Sequence, residues 1–256
     1  MSRRAIDPIT LEVARNRFSA IADEMGSVLR RTSLSPNIKE RADCSAAVFT
    51  ADGEMLAQAE HIPVHLGSMP ESVAACLRRF DPRPGAQYAV NDPFHGGTHL
   101  NDLTVVAPVF VEGQHVAWVA NRAHHADVGG EAPGSMPARA TTVDQEGHRV
   151  APTLAVSDGE WLDEFVGPFV TASRTPWERR GDLDAQMGSN AVAVRRLGEL
   201  VQREGRAHFR AVTEALLGYG QRRMEAALDA LPDGEYAYDD VMELGSRDVG
   251  IRVTVR

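Results

Sequence analysis

One short stretch of the sequence concentrates side chains that bind metal ions. It is "NDPFHGGTHLND", residues 91–102, in which His99 lies three residues before Asp102. Imidazole and carboxylate groups are common ligands of divalent transition metals, and a spacing of three lets one turn present both to the same ion. The two adjacent glycines let the backbone approach an ion closely. Taken alone, a His-x-x-Asp pair is more typical of a solvated loop, so the prediction needs a further ligand.

A second stretch repeats the same chemistry. "NRAHHADVGG", residues 121–130, contains His124, His125 and Asp127. We expect His124 to be the third metal ligand. We expect His125 and Asp127 to act as catalytic residues that orient a ligand or move protons. Adjacent histidines in a strand usually place one ring in the core, where it is hydrogen-bonded. The hypothesis therefore depends on how the chain brings the two stretches together.

The valine-rich segments between the two stretches predict a β-hairpin around Glu112–Gln114. If these three residues form the loop, Val111 pairs with His115, and the same register places Asp102 opposite His124. A loop of two residues shifts the register by one and turns Asp102 away. The predicted geometry is therefore conditional on the loop length.

A set of two histidines and one carboxylate leaves coordination positions free for water and substrate. An ion held by His99, Asp102 and His124 could lower the pKa of a bound water or polarise a carbonyl group. The ligand types suit Mn, Zn or Fe and do not select among them.

Local signals predict the first elements of the chain. Asp7 is expected to cap a helix over about 8–31. Asp52-Gly53 predicts the turn of a β-hairpin, and Ser68 with Glu71 predicts a capping box before a short helix. The preceding histidines, His61 and His65, come just before a helix N-terminus that could hold an anion.

Later segments predict loops, helices and a final β region. Residues 128–182 are rich in Gly, Pro and Thr and indicate loops with small strands. Two helices follow from Leu183, with a break at Gly205. Asp182 is interpreted mainly as a helix cap, the alternative being that it and Gln186 face the metal pocket. The residues expected to be buried in the two helices are Leu197, Leu200, Val201, Phe209, Val212 and Leu216.

These elements predict an α+β fold, with a mixed, largely antiparallel sheet, packed helices and a long helical hairpin. We expect a metal-binding α+β domain over 1–182, the helical hairpin over 183–231 and the start of a further, apparently truncated β region over 232–256. A chain that stops inside an apolar-alternating strand is expected to be oligomeric or poorly soluble when alone.

Composition narrows the classes of partner. The formal net charge of −9 argues against a nucleic-acid partner, and the sequence has no apolar run of about 20 residues that would span a membrane. Two cysteines do not make a disulfide framework, which favours a cytoplasmic protein. The sequence also lacks a Walker-type phosphate loop.

Five blocks of sequence together resemble the hydantoinase B/oxoprolinase family. They are "SPNIKERADCSAAVF", "AQAEHIPVHLGSMPESV", "NDPFHGGTHLNDLTVVAPVF", "AHHADVGGEAPGSMP" and "GDLDAQMGSNAVAVRRL". The resemblance implies a subunit of an ATP-dependent enzyme that opens cyclic amides such as N-methylhydantoin and 5-oxoproline. It also implies a hetero-oligomer in which a hydantoinase A-type partner binds ATP, in keeping with the missing phosphate loop.

The family also includes the alpha-type subunits of acetone carboxylases. In those relatives a metal sits on a His-x-x-Asp pair and a later histidine, which correspond here to His99, Asp102 and His124. The resemblance thus leaves two enzymatic alternatives, lactam hydrolysis and carboxylation of a small ketone, beside a non-catalytic assembly fragment. Family members continue well past residue 256, so we expect the isolated chain to be inactive on lactams.

Overall fold

The computed structural model describes residues 6–60, 65 and 67–256. The chain divides into two compact units, Met1–Leu216 and Leu217–Arg256. The first unit is built on a seven-stranded sheet with helices packed against it. Each pair of neighbouring strands in this sheet is antiparallel, which confirms the predicted α+β class. The boundary expected after residue 182 falls within a long helix that packs on the sheet.

The strands of the sheet follow the order β2-β1-β5-β4-β3-β6-β7. In chain order they are β1 (Cys44–Thr50), β2 (Met55–Glu60), β3 (Gln87–Val90), β4 (Asp102–Val111), β5 (Gln114–His124), β6 (Thr153–Ser157) and β7 (Glu160–Trp161). The turn at Asp52-Gly53 joins β1 to β2, as predicted, and the positive φ of +88° at Gly53 explains the need for glycine there.

The helices are α1 (Pro8–Thr32), α2 (Pro36–Lys39), α3 (Met69–Arg79), α4 (Asp163–Ala172), α5 (Pro176–Glu204) and α6 (Arg206–Leu228). The predicted cap of α1 is confirmed, since Asp7 Oδ1 accepts hydrogen bonds from the backbone N–H groups of Ile9 and Thr10. Within the part of the chain that the structure describes, no helix combines the length and apolar character needed to cross a membrane.

The two faces of the sheet are covered by different helices. On one face α1 and α5 pack side by side, and Phe18 of α1 joins Val119 of β5 in the core. On the other face α3 contributes Val73 to a cluster with Trp118. The residues predicted to be buried in α5 and α6 all lie in the core of the first face: Leu197, Leu200, Val201, Phe209, Val212 and Leu216. Apolar spacing was therefore a sufficient guide to this face.

The β4–β5 hairpin has a shorter loop than the three residues considered above, yet it pairs Asp102 with His124. Its loop has two residues, Glu112 and Gly113, both with positive φ (52° and 74°), because Val111 pairs with Gln114. A two-residue loop of this type matches the twist of the flanking strands. The register then shifts by one between Val109 and Phe110, where Val116 of β5 is the extra residue of a β-bulge.

The bulge restores the register that a three-residue loop would have produced. Beyond it Val109 pairs with Ala117, and the ladder continues until Asp102 pairs with His124. The three-residue loop on which the pairing was made conditional does not form, but the pairing of Asp102 with His124 is confirmed. Two compensating one-residue changes, at the turn and at the bulge, account for both outcomes.

Two further local predictions were wrong. Ser68 has helical backbone angles and makes no side-chain capping bond to α3; its hydroxyl instead donates to the His65 carbonyl and accepts from Arg122. The segment 128–182 contains the small strands β6 and β7, but it also contains α4 and the first turns of α5. Gly167 and Pro168 are typical of loops, so α4 was not predicted. The helix forms because Phe165 and Phe169 are buried in stacked contact.

The second unit contains the end of α6 and a two-stranded antiparallel hairpin. Its strands are β8 (Tyr236–Leu244) and β9 (Arg247–Val255), paired from Tyr236 opposite Val255 to Leu244 opposite Arg247. Both strands lie within residues 232–256, for which a β region was predicted. Many of the hairpin's apolar side chains are exposed.

Candidate metal centre

The structure brings His99, Asp102 and His124 together at the open end of the β4–β5 hairpin. One potential ligand atom from each lies within 4.8 Å of those of the other two. His99 Nε2 is 3.2 Å from Asp102 Oδ2, and the rings of His99 and His124 have centroids 5.0 Å apart. Asp102 begins β4 and His124 ends β5, so their pairing places both side chains on the same face of the sheet.

A tight turn brings His99 back onto the start of β4. The backbone N–H of Asp102 donates to the His99 carbonyl, and the Thr98 hydroxyl donates to Asp102 Oδ2 at 2.8 Å. A Cβ atom at Gly97 would lie 2.1 Å from the Asn91 carbonyl oxygen. Only glycine therefore permits the close approach of backbone that forms this loop.

The charges of the cluster are set by mutual contact. Burial opposes ionisation of Asp102, but the neighbouring His65 ring, a hydrogen bond with His99 and the His99 charge outweigh it and hold the pKa of Asp102 well below its usual range. The same hydrogen bond raises the pKa of His99. Burial lowers the pKa of His124, against the opposing effect of Asp102. The centre therefore presents an ionised carboxylate beside an imidazole that favours its neutral form.

His65 forms one wall of the centre, a position that sequence spacing did not reveal. Its Nδ1 is 2.9 Å from the Ser45 hydroxyl, and its Nε2 lies 3.7 Å from Asp102 Oδ1 and 3.8 Å from Asp43 Oδ1. The ring thus faces two carboxylates, whose negative charges disfavour the binding of an anion at His65. His61, considered with it, lies outside the described residues.

The two carboxylate oxygens of Asp102 differ in their surroundings. Among the residues that the structure describes, no donor reaches the buried Oδ1 atom, and His65 Nε2 at 3.7 Å is also without a bond. A buried carboxylate oxygen without a partner is costly, and a bound cation relieves that cost.

A buried arginine lies behind the centre on the same face of the sheet. Arg122, two residues before His124 in β5, donates to Thr104, Ser68 and Ser72. Burial lowers its pKa, and the Asp102 carboxylate opposes that effect. The position of Arg122 could not be predicted from the sequence, since an arginine within an apolar strand carries no spacing signal.

The two residues predicted to be catalytic have other partners. His125 is fully buried on the opposite face, where its Nε2 is 2.9 Å from Gln186 Oε1 and its ring packs edge-on against Phe169. Burial, followed by the nearby Arg179 charge, lowers the pKa of His125 to about 4. The ring is therefore neutral over the physiological range.

Asp127 organises the loop that follows β5. Its carboxylate accepts from the backbone N–H groups of Gly129, Gly134 and Arg174 and from the Arg174 guanidinium. Burial tends to raise its pKa, but these hydrogen bonds dominate and lower it. Its described contacts are thus those of a residue that shapes a loop.

Asp182 and Gln186 also differ from their predicted roles. Asp182 lies inside α5, so it does not cap that helix; its Oδ1 accepts from the backbone N–H groups of Leu34 and Ser35. Gln186 contacts His125, on the opposite face of the sheet from His124. Neither side chain is among the three that converge on the candidate centre.

Comparison with known proteins gives a consistent family. The model of the family described as hydantoinase B/oxoprolinase matches residues 7–256. The caprolactamase subunit beta of Pseudomonas jessenii is 32% identical over 259 residues, which cover 98% of this chain and 44% of that protein. The 5-oxoprolinase of Dictyostelium discoideum is 40% identical over 202 residues, covering 78% of this chain and 16% of that protein.

Solved structures agree. The crystal structure of the ATP-dependent caprolactamase from Pseudomonas jessenii superposes with a TM-score of 0.89 at 32% identity, covering 99% of this chain and 45% of that one. A nucleotide-free acetone carboxylase structure has a TM-score of 0.86 at 18% identity, covering 97% and 35%, and shows a shared fold. The chain spans less than half the length of these relatives. It belongs to the hydantoinase B/oxoprolinase family.

Proposed function

We propose that this chain supplies the metal-binding part of an ATP-dependent enzyme that hydrolyses a cyclic amide. The observation that carries the proposal is the convergence of His99, Asp102 and His124 within 4.8 Å, in a chain whose relatives include a 5-oxoprolinase and a caprolactamase subunit. In the overall reaction one water is added across the ring C–N bond, which breaks, and a second water is consumed as ATP is converted to ADP and phosphate.

The donor set fits a divalent ion. Two imidazoles and one ionised carboxylate are ligands that Mn, Zn and Fe all accept, and the buried Asp102 Oδ1 has no described hydrogen-bond donor. An ion at such a site polarises a carbonyl group or makes water a stronger nucleophile. His65 Nε2 lies 3.7 Å from Asp102 Oδ1 and 3.8 Å from Asp43 Oδ1, so its ring stands beside both carboxylates.

We assign supporting roles to His125 and Asp127. His125 bonds to Gln186 on the far face of the sheet, and Asp127 bonds to the backbone of its own loop and to Arg174. A group that transfers a proton must reach the reacting atoms directly or through one water. Their observed partners favour a role in holding the strand end and the loop that flank the centre.

ATP is proposed to bind to a partner subunit of the hydantoinase A type, in a hetero-oligomer. The sequence contains no Walker-type phosphate loop, and the chain spans less than half of the caprolactamase subunit beta. Phosphorylation of the lactam oxygen by the partner would make the ring carbon more electrophilic, because a simple amide is a poor electrophile with a poor leaving group.

Hydrolysis is favoured over ketone carboxylation by the identities. The relatives named for lactams are 32% to 40% identical to this chain, whereas the acetone carboxylase structure is 18% identical and supports a common fold alone. We therefore propose a small lactam as the substrate class.

The test is an assay of the complex reconstituted with its partner. Each incubation contains the complex, ATP and one substrate. The substrates are caprolactam, 5-oxoproline, hydantoin, and acetone together with labelled bicarbonate. We expect ATP-dependent ring opening of a lactam that is lost in the His124→Ala complex. Label fixed into acetone without lactam cleavage would replace hydrolysis by carboxylation. Activity that survives in the metal-free His124→Ala complex would refute the role of the centre.

A further inference from the structure

His124 is held by a segment that precedes the sheet in sequence. Asn37 of α2 places its amide Nδ2 3.1 Å from Nδ1 of His124. The backbone of the same segment also reaches β5, because Asp43 N–H donates to the Asn37 carbonyl and His124 N–H donates to the Asp43 carbonyl. The segment from Asn37 to Asp43 therefore contacts both the ring and the backbone of this histidine.

That segment is in turn anchored to α5. The buried carboxylate of Asp182 accepts from Leu34 N–H at 2.9 Å and from Ser35 N–H at 3.0 Å, and Arg179 Nη2 lies 3.1 Å from its other oxygen. At Gly181 an added Cβ atom would lie 2.3 Å from Leu34 Cδ1. The absence of a side chain at Gly181 lets the chain before α2 lie close against α5.

We propose that Asn37 is a positioning residue, which fixes the ring orientation and the tautomer of His124, and that Asp182 keeps Asn37 in place. A neutral imidazole has one N–H donor and one acceptor nitrogen, and the group bonded to one nitrogen selects the state of the other. In the structure the Asn37 Nδ2 group faces Nδ1; a 180° turn of the amide about its Cβ–Cγ bond presents its oxygen to an Nδ1 proton instead, which leaves the lone pair of Nε2 for an ion. This inference rests on the proposed metal centre.

The role explains a contact that packing alone does not require. Histidine ligands of metals generally donate the proton of their second nitrogen to a fixed acceptor, and loss of that acceptor weakens metal binding about 10- to 100-fold. Among the residues that the structure describes, Asn37 is the one whose side chain forms a hydrogen bond with a ring nitrogen of His124. Since 87 residues separate the two, no local spacing rule could have linked them.

The experiment uses the full chain and Mn²⁺ or Zn²⁺ alone. Asn37→Ala and Asn37→Ser are expected to weaken metal affinity about 10- to 100-fold by calorimetry, with unchanged far-UV circular dichroism. Asn37→Asp retains an acceptor and should restore most of the affinity. In the metal-free protein, ¹⁵N NMR of the His124 ring should show one tautomer in the wild type and a mixture in Asn37→Ala.

A matched control is Ser189→Ala, which removes a buried hydrogen bond from α5 to the Met25 carbonyl without touching α2. It should lower the melting temperature and leave metal affinity and the His124 tautomer unchanged. A wild-type chain that binds no metal would refute the proposed centre, while the NMR comparison still tests Asn37. Equal affinity and an unchanged tautomer in a folded Asn37 variant would overturn the positioning role.

Discussion

His124 and His125 are adjacent in β5, yet they lie in two different regions of the molecule. His124 is half-buried on the α3 face, beside an ionised carboxylate whose Oδ1 has no hydrogen-bond donor among the described residues. His125 is fully buried on the α5 face, between Gln186 and Phe169. Alternation of side chains along a strand separates the two rings.

The α5 face is polar but organised around its own hydrogen bonds. Gln186 donates to the Leu103 carbonyl and to Asn121, and Asn190 donates to the Val105 carbonyl and to Gln87. These amides bind α5 to the strands of the sheet. A high density of polar groups therefore does not by itself mark a binding site; the convergence of several ligand side chains on one point, as at His99, Asp102 and His124, does.

The largest difference between the two faces is expected when each of the two histidines is substituted. His124→Ala should abolish retention of Mn²⁺ by the purified chain, because one of three ligands is removed, whereas His125→Asn should retain it. Elemental analysis after dialysis and Mn²⁺ electron paramagnetic resonance measure the difference. Equal metal loss in both folded variants would remove the distinction between the two faces.

The next largest effect is expected at the buried ion pair under α2. Asp182→Asn should lower the free energy of unfolding by about 3 kcal/mol, since the fully buried Arg179 would lose one of its two carboxylate partners and keep Glu178. Urea denaturation measures the change. The control Glu24→Gln removes an exposed carboxylate paired with Arg196 and should cost less than about 1 kcal/mol; similar losses in both would contradict the argument from burial.

Loss of the hydrogen bonds that Gln186 of α5 makes should lower stability and leave metal affinity unchanged. Gln186→Ala leaves His125, Asn121 and the Leu103 carbonyl short of partners, so we expect a loss of about 2 kcal/mol. Denaturation and calorimetry with Mn²⁺ measure stability and affinity on the same sample. A large drop in affinity at normal stability would show that the two faces are coupled.

The smallest effect on metal affinity is expected at Thr98, at the edge of the centre. Thr98→Val removes the hydroxyl that donates to Asp102 Oδ2 and should weaken Mn²⁺ binding about fivefold, equivalent to about 1 kcal/mol. The control Thr141→Val changes an exposed hydroxyl that bonds to Gln145 and should leave affinity unchanged. Calorimetry distinguishes the two; an unaltered Thr98→Val affinity would place Thr98 outside the centre.

Much of the architecture followed from local patterns. The helix after Asp7, the turn at Asp52-Gly53 and the buried positions of α5 and α6 agree with apolar spacing and turn chemistry. The helix α4 did not, because Gly167 and Pro168 suggest a loop and tertiary burial of Phe165 overrides them. Local propensity is weak compared with the burial of aromatic side chains.

The candidate centre divides in the same way. The donor types and the alternation of β4 and β5 were sufficient to propose His99, Asp102 and His124 as one group. His65 and Asn37 could not be assigned from spacing, because they reach the centre from separate segments through contacts that exist only after folding.

The amino-acid sequence was enough to identify which residues can bind an ion, most of the segments that form strands and helices, and which faces are apolar. These properties depend on side-chain chemistry and on the fixed periods of the two backbone conformations. The tertiary structure alone decided that Val116 forms a bulge, beside the packed rings of His115 and Trp118. One extra residue in a ladder reverses the face of each side chain beyond it, so the pairing of Asp102 with His124 depends on cross-strand contacts that no local pattern records.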